Sequence, residues 1–502
     1  MKKLCLLLVL CLLFSGCVTK PAEKAPNCDA GHTDVAGDGF CDVCSTLLLV
    51  FVDFYNLNDI HGKLDDAGTH PGLDELSSYL EASRQEDNHA IFLSSGDMWQ
   101  GASESNLTQG HIMTDWMNEM GFAAMAMGNH EYDWGEAPIL TNEELSQFPF
   151  LAINIYDRET GKQVSYCESS TVVDLGQIQI GIIGAIGDCY SSIAADKVED
   201  VYFLTGSDLT GLVKAESQKL RSEGADYIVY LLHDGNGSSK SGTVTNSQLQ
   251  SYYDPSLSQG YIDLVFEGHT HQKYVLKDAY GVYHLQGGGD NQGITHVEIA
   301  YNTVTGKGTV QTAELVPTEK YAHYEDHPVV DELLEKYDDQ VSKGNEALGT
   351  NAASRNGRYV CQLAADLYYE KGVELWGDTY DIALGGGFFQ LRSPGYLSAG
   401  EITYKMLYSI LPFDNHLVLC SIKGKDLQSR FFHTSNDRYY LGYGDYGKKL
   451  KNDLDPDGTY YVVVDSYTSQ YAPNRLTEVA RCEEDLFARD LLAEYIRSGG
   501  LQ

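Results

Sequence analysis

The chain opens with Met1-Lys2-Lys3 and an apolar run over residues 4–14, the charged-then-hydrophobic order of an export signal and too short to span a bilayer. From residue 48 onward, short β-rich apolar runs alternate with amphipathic or polar stretches, a pattern that predicts an α/β fold. Five runs read as strands: 49–58, 90–95, 122–127, 226–232 and 262–267. Residues 319–345, ending in the segment 329–341, carry apolar positions at helical spacing among many charges and predict a solvent-exposed connecting helix. A domain boundary is expected there.

Composition narrows the class. At roughly 150 residues per domain, 502 residues predict two to four domains, and 43% hydrophobic with 21% charged residues is a globular balance. The formal net charge of −37 argues against a long nucleic-acid partner, because such binding needs many cationic contacts to phosphate. A small anionic substrate remains compatible if metal ions or a few arginines hold it locally. No later segment reads as a membrane span, and no heptad, internal repeat or low-complexity array supports a purely structural role. Nothing in the sequence sets an oligomeric state.

The chemistry sits at the carboxyl tip of each predicted strand. The five tips are Asp59-Ile60-His61-Gly62, Gly96-Asp97, Gly128-Asn129-His130-Glu131-Tyr132-Asp133, His233-Asp234-Gly235 and Gly268-His269-Thr270-His271. Loops at the carboxyl ends of α/β strands meet in one crevice, so Asp59, His61, Asp97, Asn129, His233, His269 and His271 are expected to converge. Oxygen and imidazole donors without thiolate suit borderline divalent ions such as Zn, Mn or Fe. The set is too large for one tetrahedral ion and fits two ions sharing a carboxylate, a pair that clamps a phosphoryl group and generates a hydroxide nucleophile at neutral pH. The glycines beside these residues permit sharp turns and close backbone approach.

This series, over about residues 48–318, resembles the calcineurin-like metallophosphoesterases, and the string Gly128-Asn129-His130-Glu131-Tyr132-Asp133-Trp134-Gly135 resembles their 5′-nucleotidase branch. The resemblance implies an αββα sandwich, with Asp59, His61 and His271 on one ion, Asn129, His233 and His269 on the other, and Asp97 bridging. It gives His130, oriented by Asp133, the role of stabilising the phosphate in the transition state and helping the leaving oxygen depart. The implied reaction is hydrolysis of nucleoside 5′-monophosphates. The alternatives are a 2′,3′-cyclic nucleotide phosphodiesterase, a nucleotide-sugar hydrolase, a hydrolase for a non-nucleotide ester or, outside enzymes, a surface nucleotide-binding or adhesion protein. Retention of every ligand together with His130 argues against the last.

Residues 346–502 resemble the α/β C-terminal domain of 5′-nucleotidases: the stretch 383–394, with Gly385-Gly386-Gly387, precedes Gly400-Glu401-Ile402-Thr403-Tyr404 and Leu411-Pro412-Phe413. The resemblance implies a glycine-rich turn that presents an asparagine and an arginine, and aromatic rings that sandwich the base. Arg392 then binds an anionic group and Phe413 stacks on the base. Arg355 and Arg358 both lie near a further family arginine, and Arg358 is carried forward as the candidate. Two features depart from the pattern. The asparagine is missing, with Arg392 displaced by two extra residues, and the segment expected to carry the second ring offers only Tyr467 or Tyr471 as substitutes, Tyr471 being the candidate.

The leader ends in Leu13-Phe14-Ser15-Gly16-Cys17, which resembles the bacterial lipobox. Residues 1–17 are therefore expected to be a signal peptide, with Cys17 lipidated and the mature chain exported and held to a membrane by lipid alone. An ordinary cleaved signal is the alternative. In the following stem, residues 18–47, Cys28, His32, Cys41 and Cys44 supply four soft or borderline ligands and read equally as a Cys₃His zinc clip or as one disulfide plus a spare thiol. Cys167, Cys189, Cys361, Cys420 and Cys482 show no framework spacing and read in part as plain buried thiols.

Overall fold

The computed structural model describes residues 31–64, 72–86, 89–389, 391–392, 394–432, 439–471, 475–482 and 486–501. The leader, Cys17 and Cys28 lie outside the described residues, and among those described no helix is long and apolar enough to cross a membrane. The chain divides into two compact units. The small one joins the described stem up to Val50 with the segment Tyr301–Gly308. Its organising residue is Asp34, whose carboxylate accepts the backbone N–H groups of Gly37, Asp38 and Gly39 and the side-chain amide of Asn302.

The large unit begins with strands β1 (Leu49–Leu57), β2 (Ala90–Ser94), β3 (Ala124–Ala126) and β4 (Phe150–Leu151), paired in parallel in that order. Strands Gly293–Asn302 and Lys307–Pro317 complete this six-stranded sheet beyond β1. A seven-stranded sheet has Gln179–Ile186, Tyr227–His233 and Leu264–Glu267 as parallel neighbours at its centre. The two sheets lie face to face. The Phe54 ring of β1 sits 6.3 Å from Tyr227 and 6.4 Å from Phe266 on the other sheet. Helices Leu73–Glu86 and His111–Met120 cover the outside of the first sheet with Leu76, Leu80, Trp116 and Met117, and Gly206–Glu223 covers the second with Val213 and Leu220. Strands covered on both faces need apolar residues at successive positions, which is why these runs are continuous and not alternating.

The connecting segment departs from expectation. It folds as Val329–Lys336, Asp338–Val341 and a 3₁₀ turn, and Val329, Val330, Leu333 and Tyr337 are sealed into the core of the first sheet and its helices. Only its charged face meets solvent. The physical reason is the amphipathic spacing itself, since an apolar stripe beside an open hydrophobic surface is buried on it.

Beyond this segment a five-stranded sheet runs in the order Tyr439–Gly442, Ile382–Phe388, Thr459–Asp465, Leu417–Lys423 and Thr477–Arg481. Helix Gly357–Trp376 packs on it. The expected glycine-rich turn is instead the strand Ile382–Phe388. A Cβ on Gly385 would stand 2.2 Å from the Tyr369 nitrogen of that helix, so the glycines admit close packing and do not make a turn. Ile382–Phe388 and Thr459–Asp465 pair in parallel, so both deliver their carboxyl ends to the same edge. There Gln470 donates to the Ile193 carbonyl at 2.6 Å and Arg481 pairs with Asp196 at 3.0 Å, fastening this sheet to the segment that follows strand Gln179–Ile186.

Candidate functional site

The five predicted tips come from both facing sheets, three from β1, β2 and β3 and two from Tyr227–His233 and Leu264–Glu267. The fold closes them on one another. His61 Nε2 is 3.1 Å from His271 Nε2, and His271 Nε2 is 3.4 Å from Asp59 Oδ1. On the other side His233 Nε2 stands 3.1 Å from both Asp97 Oδ2 and Asn129 Oδ1, and His269 Nδ1 lies 2.8 Å from Asn129 Oδ1. Asp59, Asp97 and His233 present ligand atoms within 4.8 Å of one another, so Asp97 stands between the two groups.

This convergence is held against local backbone preference. Asp59, His61, Asp97, His269 and His271 all adopt positive φ, between 53° and 69°, where residues other than glycine are uncommon. Strain of that kind persists where surrounding contacts overdetermine it, and it clusters at functional sites. The glycines beside these residues make the approach possible. A Cβ on Gly128 would lie 2.2 Å from Asp97 Oδ1, and Gly96 turns at φ 89°.

The donor set fits two divalent cations. His61 Nδ1 donates to the Gln100 carbonyl at 2.8 Å and His233 Nδ1 to the Ser95 carbonyl at 2.7 Å, which leaves each Nε2 as a bare lone pair aimed inward. There His233 meets the oxygens of Asn129 and Asp97, and His61 meets another imidazole. Asp97 Oδ2 is buried with no hydrogen-bond donor directed at it, and its nearness to His233 lacks hydrogen-bond geometry. Lone pairs facing lone pairs in a buried cluster call for cations between them. His61, buried beside His271 and His130, is pushed well below its ordinary value and keeps its Nε2 lone pair. Burial opposes protonation of His233 too, but Asp97 overrides it and raises the imidazole to about 10, so a cation held at its Nε2 would take the place of a proton.

His130 lies at the edge of this cluster. Its backbone N–H donates to Asp97 Oδ1 at 2.8 Å, and its Nδ1 donates to Asp133 Oδ2 at 2.7 Å. Burial works against its protonation, but Asp133 and then Asp97 raise it overall. Its Nε2 is 3.2 Å from Arg392 Nη2, its ring stacks on Phe413 with centroids 6.0 Å apart, and the Arg392 guanidinium stands 5.3 Å from the Phe413 centroid. One cavity of about 410 Å³ takes in Asp97, Asn129, His130, His269, Arg392 and Phe413. Tyr467 also lines it, whereas Tyr471 ends the short helix Ser466–Tyr471 with its side chain outside the described residues. Arg358 is exposed on the first turn of Gly357–Trp376 and does not line the cavity.

Several supporting residues escaped the sequence reading. Glu131 is fully buried and accepts the backbone N–H groups of Asp97, Met98 and Gly128 at 2.8–2.9 Å, tying two ligand loops together. Burial and the Asp97 charge raise its carboxyl to about 7. Asn58 donates to Asp59 Oδ2 and to the Gly288 carbonyl, both at 2.6 Å, which orients that carboxylate. Arg489 is buried, stacks 3.9 Å from the Tyr408 centroid, pairs with Asp414 and donates to the Phe413 carbonyl, so it fixes the backbone under the stacking ring. Cys189, one of the five body cysteines given no role, has a ligand atom within 4.8 Å of those of His233 and His269. Only Glu131 carried a signal in the sequence, its place directly after His130.

Residues 53–273 match the calcineurin-like phosphoesterase family, and residues 350–444 match the 5′-nucleotidase C-terminal domain. Endonuclease YhcR of Bacillus subtilis is 25% identical over 412 residues, 74% of this chain, which spans 32% of that protein's length. A 5′-nucleotidase of Vibrio vulnificus is 24% identical over 416 residues, 73% of this chain and 71% of its own. Among solved structures, the 5′-nucleotidase precursor from Thermus thermophilus shares the fold, with a TM-score of 0.64 at 18% identity over 89% of this chain and 96% of that one.

Proposed function

From the premise that this chain belongs to the calcineurin-like phosphoesterases that carry a 5′-nucleotidase C-terminal domain, we infer that it hydrolyses nucleoside 5′-monophosphates outside the cytoplasm. The observation that carries the reading is the shared cavity, in which Asp97, Asn129, His269 and His271 of the ligand cluster meet His130, Arg392 and the Phe413 ring. A nucleotide needs charge neutralisation at one end and a planar apolar contact at the other, and this cavity offers both within one ligand's length.

Asp59, His61 and His271 would hold one divalent cation and Asn129, His233 and His269 the other, with Asp97 shared. Bound there, such ions supply charge stabilisation for the phosphoryl group and acidify the attacking water. The remaining work falls to side chains. Arg392 Nη2 and His130 Nε2 are direct neighbours at 3.2 Å, so a phosphate oxygen that replaces their mutual contact would accept from both. Asp133 keeps the imidazole turned and supports its charged form, from which His130 passes a proton to the departing ribose oxygen. Phe413, held by Arg489, stacks on the base.

Export and lipid attachment at Cys17 belong to the same reading and rest on the leader sequence. A phosphate-release panel across nucleoside monophosphates, 2′,3′-cyclic nucleotides, nucleotide sugars and sugar phosphates, with Mn or Zn supplied, tests the substrate. Because one relative bears an endonuclease name, single-stranded DNA and RNA are the control substrates. Much higher kcat/KM on nucleoside monophosphates is expected, and equal rates on simple esters would defeat the assignment.

A further inference from the structure

The small unit contains a second constellation unrelated to the phosphoryl site. His32, Cys41 and Cys44 bring their ligand atoms within 4.8 Å of one another. His32 Nδ1 and Cys44 Sγ are 3.5 Å apart. Around a tetrahedral ion with Zn–S and Zn–N bonds of about 2.3 and 2.0 Å, a sulfur and a nitrogen ligand stand about 3.5 Å apart, so the observed spacing needs no rearrangement.

The surrounding acidic residues do not compete for the ion. Asp34 is committed to Gly37, Asp38, Gly39 and Asn302, and Asp42 accepts the N–H groups of Val35 and Ala36. Their oxygens serve the turns, which leaves the soft ligands facing one another and disfavours a hard cation such as calcium. Beside the Asp34 turn few apolar side chains are available for a core: Val35 is 90% exposed, and Phe40, Val43 and Leu47 are exposed too.

We propose that His32, Cys41 and Cys44 form a structural zinc site that staples the stem, independent of the ions of the phosphoryl site. Cys28 is four residues before His32 and is the candidate fourth ligand; it lies outside the described residues, so the proposal stands on the three that converge. The rival is a disulfide between Cys41 and Cys44, and the two make opposite demands on the thiols.

The purified full chain, exchanged with Co(II), distinguishes them, because among the described residues the stem pairs two thiols whereas the phosphoryl site has the single nearby Cys189, present in the chain and in both variants alike, so the band is read as the difference between the chain and each variant. A near-ultraviolet thiolate-to-Co(II) charge-transfer band is expected, lost in Cys44→Ser and shifted in His32→Ala, with phosphate release from a nucleoside monophosphate unchanged in both variants. On the unaltered chain, titration with an organomercurial should release about one zinc while phosphate release persists. A band that survives in Cys44→Ser, a chain whose zinc is all accounted for by the phosphoryl site, or Cys41 and Cys44 recovered as a disulfide with no zinc released would each overturn the proposal.

Discussion

Arg392 Nη2 and His130 Nε2 lie 3.2 Å apart although 262 positions separate them in the chain. The first belongs to the segment after strand Ile382–Phe388 and the second to the loop after β3, so this contact brings the substrate-binding half to the phosphoryl-binding half at the site itself. His130→Ala should lower kcat by about 10²-fold, the scale of an acid–base or electrostatic group, with bound metal unchanged. Arg392→Gln should act mainly on KM for phosphate esters. Metal analysis beside steady-state kinetics checks both, and loss of metal in His130→Ala would assign that imidazole to the ligand shell.

Asp97 stands within ligand reach of both halves of the cluster. Asp97→Asn should therefore weaken both cation sites at once, whereas Asn129→Ala should weaken one. Titration with Mn under calorimetric observation separates the outcomes. Two unaltered affinities in Asp97→Asn would remove it from the bridging position.

Phe413 carries the base preference in this reading. Stacking of a base on an aromatic ring contributes about 1–3 kcal/mol, so Phe413→Ala should lower kcat/KM for nucleoside monophosphates by roughly 10-fold or more. Activity on a small chromogenic phosphate should persist. Equal losses on both substrates would mean that the ring supports the fold of the site and not the base.

A buried histidine away from the cavity makes stability depend on pH. His284 Nδ1 is 2.7 Å from Glu267 and its Nε2 3.7 Å from Asp278, and although burial opposes the charge, Glu267 and Asp278 raise the imidazole to about 9. A raised pKa stabilises the folded state fully below the unfolded value, and that contribution disappears as pH climbs through the folded one. Between pH 7 and 10 the native chain should lose roughly 2 kcal/mol more stability than His284→Gln, measured by urea unfolding. Parallel curves would place the charge elsewhere.

Lipidation at Cys17, proposed from the lipobox resemblance of the leader, predicts that Cys17→Ser moves the protein from the membrane fraction to the soluble one. Persistence in membranes would refute lipidation at that residue.

The sequence by itself determined the strands and their tips. Continuous apolar runs ending in Asp, His, Asn and Gly are local signals, and strand direction obliges carboxyl ends to gather, so the convergence of seven side chains was legible in the chain alone. The Leu-Pro-Phe segment likewise pointed to Phe413. What tertiary structure alone decided depends on partners distant in the chain. Which strands face which across the two sheets that the resemblance implies is such a case: β1 and Leu264–Glu267 meet across a shared core. The glycine run of Ile382–Phe388 became a strand because a helix presses against it, and the connecting helix buried a face because an apolar surface was waiting for it. Asn58 and Arg489 had no motif to announce them, and Glu131 had only its place directly after His130. Their roles arise from backbone N–H groups, a carboxylate and a carbonyl that only the folded chain sets beside them.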